Sequence, residues 1–115
     1  MLLRLMFAGA MALFVTGAAA GRPTMEFLGA GSSELANPHD LKLCPDGQHL
    51  FVSDVGNNRV VILDPETLQE LGAFGADHQS GTHDIDFDAA GRVYVADTHN
   101  SRVTVYKMSG LEATL

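Results

Sequence analysis

The chain has 115 residues, room for one small domain, with 46% hydrophobic and 18% charged residues, a globular rather than a disordered balance. A net charge of −7 and seven scattered Lys and Arg exclude a nucleic-acid backbone as a natural partner. Cys44 is the single cysteine, which excludes an internal disulfide and predicts a small buried hydrophobe over a reactive thiol.

Residues 1–20 read as a signal peptide. Arg4 supplies a positive charge, Leu5 to Val15 is apolar, and Ala18-Ala19-Ala20 gives the small-x-small pattern of a cleavage site. Cleavage is expected after Ala20, leaving a chain from Gly21 that is secreted or periplasmic and touches a membrane only through the removed segment. The competing expectation is an uncleaved anchor helix, but the apolar stretch falls short of the ~20 residues a span needs.

Next comes a strand-like run at Glu26–Gly31 and a linker to residue 36. Strands follow at His39–Leu43, Leu50–Ser53, Arg59–Leu63 and Gln69–Phe74. A second series lies at His83–Phe87, Val93–Ala96 and Arg102–Tyr106, with a weaker fourth near Glu112–Leu115. Apolar residues alternate with a spacing of two, and turn residues interrupt them at Pro45-Asp46-Gly47 and Ala89-Ala90-Gly91, which excludes helices.

The two series are copies. Pro38-His39-Asp40-Leu41 matches Thr82-His83-Asp84-Ile85 at an offset of 44. Leu50 to Val60 matches Val93 to Val103 at an offset of 43, so the first copy holds one extra residue near Gln48-His49. A four-stranded repeat of this length is the size of one β-propeller blade.

Val52-x-Asp54-x-x-Asn57-x-Arg59-Val60 and Val95-x-Asp97-x-x-Asn100-x-Arg102-Val103 resemble the signature of the NHL repeat, in register across two copies. The resemblance implies a β-propeller, usually of six blades in this family. The expected fold is therefore all-β, a partial propeller with an N-terminal signal helix. Residues 21–36 would be the outer strand and linker of a preceding blade, 37–81 the first blade, and 82–115 a second blade truncated at its outer strand. Asp54, Asn57, Arg59, Asp97, Asn100 and Arg102 are expected to be structural. Asp and Asn would bracket the turn after the second strand and bond its free backbone, while each Arg would pair with Asp54 or Asp97.

His39 and His83 hold the same repeat position. First strands line a propeller's central channel, so these imidazoles should converge from adjacent blades, where they could share a metal or bond neighbouring backbone. Their segments also resemble the metal-ligand segment of peptidyl-α-hydroxyglycine α-amidating lyases, NHL-type propellers with zinc held by histidines at strand starts. That resemblance implies a metal-dependent lyase with His39 and His83 as metal ligands and zinc as the cofactor. Asp84-Ile85-Asp86-Phe87-Asp88 begins like a calcium loop, but its sixth and twelfth positions hold Ala89 and Val95, so a polar strand face is expected instead. His49, His78 and His99 lie in turn-like surroundings and are expected to be solvated.

Two blades cannot close a ring, and open blades leave β edges for other chains to pair with. The expected remedies are missing blades of a longer protein, self-association, or another propeller chain. Two function classes follow. One is a binding or interaction scaffold that recognises a protein, peptide or small-molecule ligand at the propeller face, as a fragment of a longer six-bladed protein. The other is the metal-dependent lyase.

Overall fold

A computed structural model describes residues 21–31 and 34–115. The signal segment, residues 1–20, lies outside the described residues. The rest folds into two four-stranded antiparallel sheets, each a meander. The first contains β1 (Pro38–Leu43), β2 (Leu50–Asp54), β3 (Arg59–Leu63) and β4 (Glu70–Phe74). The second contains β5 (Thr82–Phe87), β6 (Val93–Asp97), β7 (Arg102–Ser109) and β8 (Glu112–Thr114). These are the expected blades, with strand boundaries within a few residues of those read from the alternation. Residues 21–31 carry no strand, and Phe27 and Leu28 are exposed. A strand belonging to a preceding blade has no sheet to join among the described residues.

Turn chemistry explains the repeat's one irregularity. In the first blade Cys44 N–H donates to the His49 carbonyl at 2.8 Å; in the second, Asp88 N–H donates to the Arg92 carbonyl at 3.1 Å. The first turn is one residue longer, and that residue is the one the offsets assign to Gln48-His49. Gly47 and Gly91 sit in these turns at φ 69° and 79°, a region that favours glycine.

Both inner strands carry a β-bulge at the same place. The β1–β2 register slips between Pro38 and Leu41, and the β5–β6 register slips between Thr82 and Ile85. The His-Asp dipeptides fall inside the slips. A bulge re-aims side chains out of the regular alternation, so it governs where His39 and His83 point.

The core lies between the sheets. Phe51, Val60 and Ile62 from the first blade meet Ile85, Val93, Val95 and Tyr106 from the second. Aromatic edges lock the seam, with Phe51 perpendicular to Phe87 at 5.0 Å and Phe74 packed on Tyr106 at 4.8 Å. Each fully buried side chain of this size stabilises by about 1.5–3 kcal/mol, and each aromatic pair adds ~0.5–1.5. Polar bonds cross the same seam. Asp40 Oδ2 accepts from Ile85 N–H at 3.0 Å, Ser53 Oγ donates to the His83 carbonyl at 2.6 Å, and Asn58 Oδ1 accepts from Gly81 N–H at 2.7 Å.

The repeat's polar signature forms a staple. Asp54 ends β2 fully buried and accepts three bonds: from Ala36 N–H at 2.6 Å, Asn57 Nδ2 at 2.8 Å and Arg59 Nε at 2.8 Å. Asp97 repeats this with Ser80 N–H at 2.7 Å, Asn100 Nδ2 at 3.0 Å and Arg102 Nε at 2.7 Å. Ala36 and Ser80 belong to the loops that lead into β1 and β5. The pairing of Arg with Asp is as expected. The target of the carboxylate differs: it holds the lead-in loop, while the turn itself closes through a 3-10 turn ended by left-handed Asn58 or Ser101. Asn57 and Asn100 reach further into the same loops, donating to the Glu34 and His78 carbonyls at 3.2 and 3.3 Å.

Burial pushes the Asp97 carboxyl up, but the bonds from Ser80, Asn100 and Arg102 outweigh it and hold the group below its ordinary value of 3.8. A depressed carboxylate stabilises the fold fully above the unfolded value, and that contribution is lost as pH falls through the lower folded one. Asp97→Ala orphans the Ser80 amide and strands Arg102, which should cost about 2–4 kcal/mol at pH 7. Urea unfolding at pH 7 and at pH 3 checks this: the gap between wild type and variant should be large at neutral pH and should shrink in acid. Equal stability at pH 7 would show that the staple holds nothing.

Candidate functional site

With Asp54, Asn57, Arg59, Asp97, Asn100 and Arg102 consumed by the staples, the repeat positions left for function are His39 and His83. The bulges bring them together. Their rings lie 4.1 Å apart between centroids and tilt 56° to each other. His39 is exposed and His83 half-buried. The expected convergence of equivalent side chains from neighbouring inner strands is what the geometry shows.

The surroundings fix the backbone beneath this pair. Ser53 Oγ accepts from Asp40 N–H at 2.9 Å while donating to the His83 carbonyl, so one hydroxyl ties both His-Asp segments to β2. The staples hold the loops on either side. The result is a rim with two imidazoles presented from a rigid base.

Along the inner strands the pair gives way to charge. Lys42 Nζ lies 3.8 Å from Asp86, both substantially exposed. Asp84 and Asp86 are exposed while Ile85 is buried, so these acids form the polar face of a strand. Asp88 belongs to the turn, accepting from Ala90 N–H at 3.0 Å and from Arg92 Nε at 2.5 Å. No calcium loop forms. An open cleft of about 430 Å³ runs from Asp40, Lys42, Asp84 and Asp86 onto Tyr94, Ala96 and Val103.

His78 is not solvated as expected. It is half-buried, with Nδ1 2.7 Å from Asp77 Oδ1 and Nε2 2.6 Å from the Tyr106 hydroxyl. Gln79 Nε2 donates to that hydroxyl at 2.6 Å, which leaves the hydroxyl proton for His78 Nε2 and the Nδ1 proton for Asp77. The chain Asp77–His78–Tyr106 has the connectivity of a nucleophile relay. Tyr106 is only 1% exposed, however, and burial pushes its phenol up, so no substrate reaches it and the chain braces the seam. Sequence spacing carried no sign of it, because His78 and Tyr106 are 28 positions apart and only the meander brings them together. His49 is also half-buried, its Nδ1 2.7 Å from Asp46 Oδ2, while His99 is exposed. Cys44 packs partly buried against the core, and burial pushes its thiol up, away from the reactive thiolate.

Zinc asks for more donors than this pair offers. A catalytic zinc takes three protein ligands and an open position. Among the described residues no group of three His, Cys, Asp or Glu could hold a metal ion. His39 and His83 alone fall short of that set.

A family model described as the NHL repeat matches residues 35–63 and again residues 83–106. No curated protein matches the chain. The first matched segment contains a complete staple and all of β1; the second contains the Asp97, Asn100 and Arg102 of its staple and all of β5 but Thr82, so sequence match and geometry mark the same units. The chain thus carries two segments that match the NHL repeat, each lying within one four-stranded blade.

Proposed function

We propose that the chain is an exported interaction scaffold, a segment of a closed propeller ring that takes a peptide or small ligand at the rim where β1 and β5 begin. The observation that carries this is the pair of rim imidazoles, 4.1 Å apart on backbone that the staples and Ser53 hold in place. Rigid blades that present loop and strand-start residues suit recognition, because little side-chain or loop freedom is lost on binding. The lyase alternative asks for a third metal ligand beside His39 and His83. The chemistry supported here is recognition: two imidazoles side by side offer ring nitrogens that donate to or accept from a polar ligand group.

Export rests on the arginine, apolar stretch and alanine triplet of residues 1–20. N-terminal sequencing of the protein recovered from a secreting host should begin at Gly21; an intact Met1 in the recovered protein would contradict export by cleavage. Rim recognition is tested with a displayed library of random peptides. Selected peptides should lose at least tenfold in affinity to His39→Ala with His83→Ala, a loss of about 1.4 kcal/mol. They should keep their affinity for Asp46→Ala, which sits at the opposite end of the strands. Failure to enrich any sequence, or enrichment indifferent to the two histidines, would sink the reading.

A further inference from the structure

Equivalent positions in the two blades meet opposite fates. Val60 and Ile62 of β3 are completely buried in the seam, yet their counterparts Val103 and Val105 of β7 are 64% and 37% exposed. Ile85 is 2% exposed, yet its counterpart Leu41 is 61% exposed, and Leu43, which matches half-buried Phe87, is 55% exposed. The back of the second blade and the front of the first are thus two halves of a seam already built once inside the chain.

The back half has the shape of a seat. The cleft there is lined by Tyr94, Ala96 and Val103, the counterparts of Phe51, Ser53 and Val60, which in the first blade are covered by β5. The front half is prepared as well. Leu35 packs over Val52, Val61 and Leu63, as Gln79 lies over Thr104 and Tyr106 within the seam, so its presence is compatible with a blade in front.

Charge selects the occupant. Lys42 and Asp86 hold the same inner-strand position in successive blades and pair at 3.8 Å. Repeating the seam with another copy sets Asp86 of one chain against Lys42 of the next, so that cation and anion alternate from blade to blade. A repeated blade of either type alone would set like charges face to face. The polar bond of Asp40 to the backbone of β5 carries over too, since Asp84 stands where Asp40 does. The Ser53 hydroxyl does not carry over, because Ala96 replaces it.

We propose that copies of this chain join head to tail, with the back of β6 and β7 seated on the front of β1 in the next copy, until a ring closes and no blade face is left bare. Apolar burial supplies the affinity; the exposed Lys42–Asp86 alternation adds little to it and serves register and polarity. A contact of this kind is heterologous, so it closes into a ring or grows without limit.

The test uses protein made from the full reading frame, at whatever N-terminus the host leaves, followed by size exclusion with light scattering at micromolar concentration. Wild type should run as one species at a whole-number multiple of the chain mass. Val103→Asp spoils the back and Leu41→Asp the front, and each alone should be monomeric with an unchanged circular-dichroism spectrum. Mixed in equal amounts they should form a species of twice the chain mass, since one intact back meets one intact front. Val105→Glu replaces Val103→Asp should the latter lose its strand signal. Wild-type monomer, an oligomer that survives both variants, or a mixture that stays monomeric would each overturn the proposal. The first of these would assign the bare faces to further blades of a longer chain or to another propeller protein.

Discussion

A buried carboxylate at the end of each second strand organises this molecule. An isolated ionised Asp in a protein interior is expensive, and it persists only with its lone pairs filled. Asp54 and Asp97 meet that condition with one backbone amide, one Asn and one Arg each. The backbone amide comes from the loop before the inner strand, 18 residues upstream of Asp54 and 17 upstream of Asp97. The staple therefore converts a local meander into a unit with a fixed lead-in, and the direction in which one blade hands the chain to the next is set by that bond.

Everything at the rim follows from this. The lead-in loop places the bulge, and the bulge places the histidine. Ser53 then couples the two blades by accepting from Asp40 N–H and donating to the His83 carbonyl. Apolar packing supplies most of the stabilisation across the seam. These few polar bonds decide which of the many possible sheet-on-sheet arrangements is adopted, because a slip of one residue would leave buried amides and carboxylates without partners.

Much of this was legible in the sequence. The β-branched run Arg59–Leu63 and the turn glycines pointed to the strands, and the change of offset from 44 to 43 located the longer turn at Gln48-His49. The convergence of His39 and His83 followed from their shared repeat position. What spacing could not give was contact across the meander. The bonds from Asp54 to Ala36 and from His78 to Tyr106 join residues whose nearness depends on tertiary closure, so a turn-like sequence around His78 wrongly suggested a solvated ring. The bulge at the His-Asp dipeptides was also invisible, because Pro38-His39-Asp40-Leu41 alternates no worse than its neighbours and the slip is a property of strand pairing.

Amide hydrogen exchange at Ala36 and Ser80 tests the central claim most directly. Both amides lie in loops, where exchange is normally fast, yet each donates to a fully buried carboxylate at 2.6 or 2.7 Å. The account predicts that these two amides are protected to nearly the same degree as Val61 and Val95 in the strands. Exchange as fast as at the exposed turn residues Asp46 and Ala89 would contradict it.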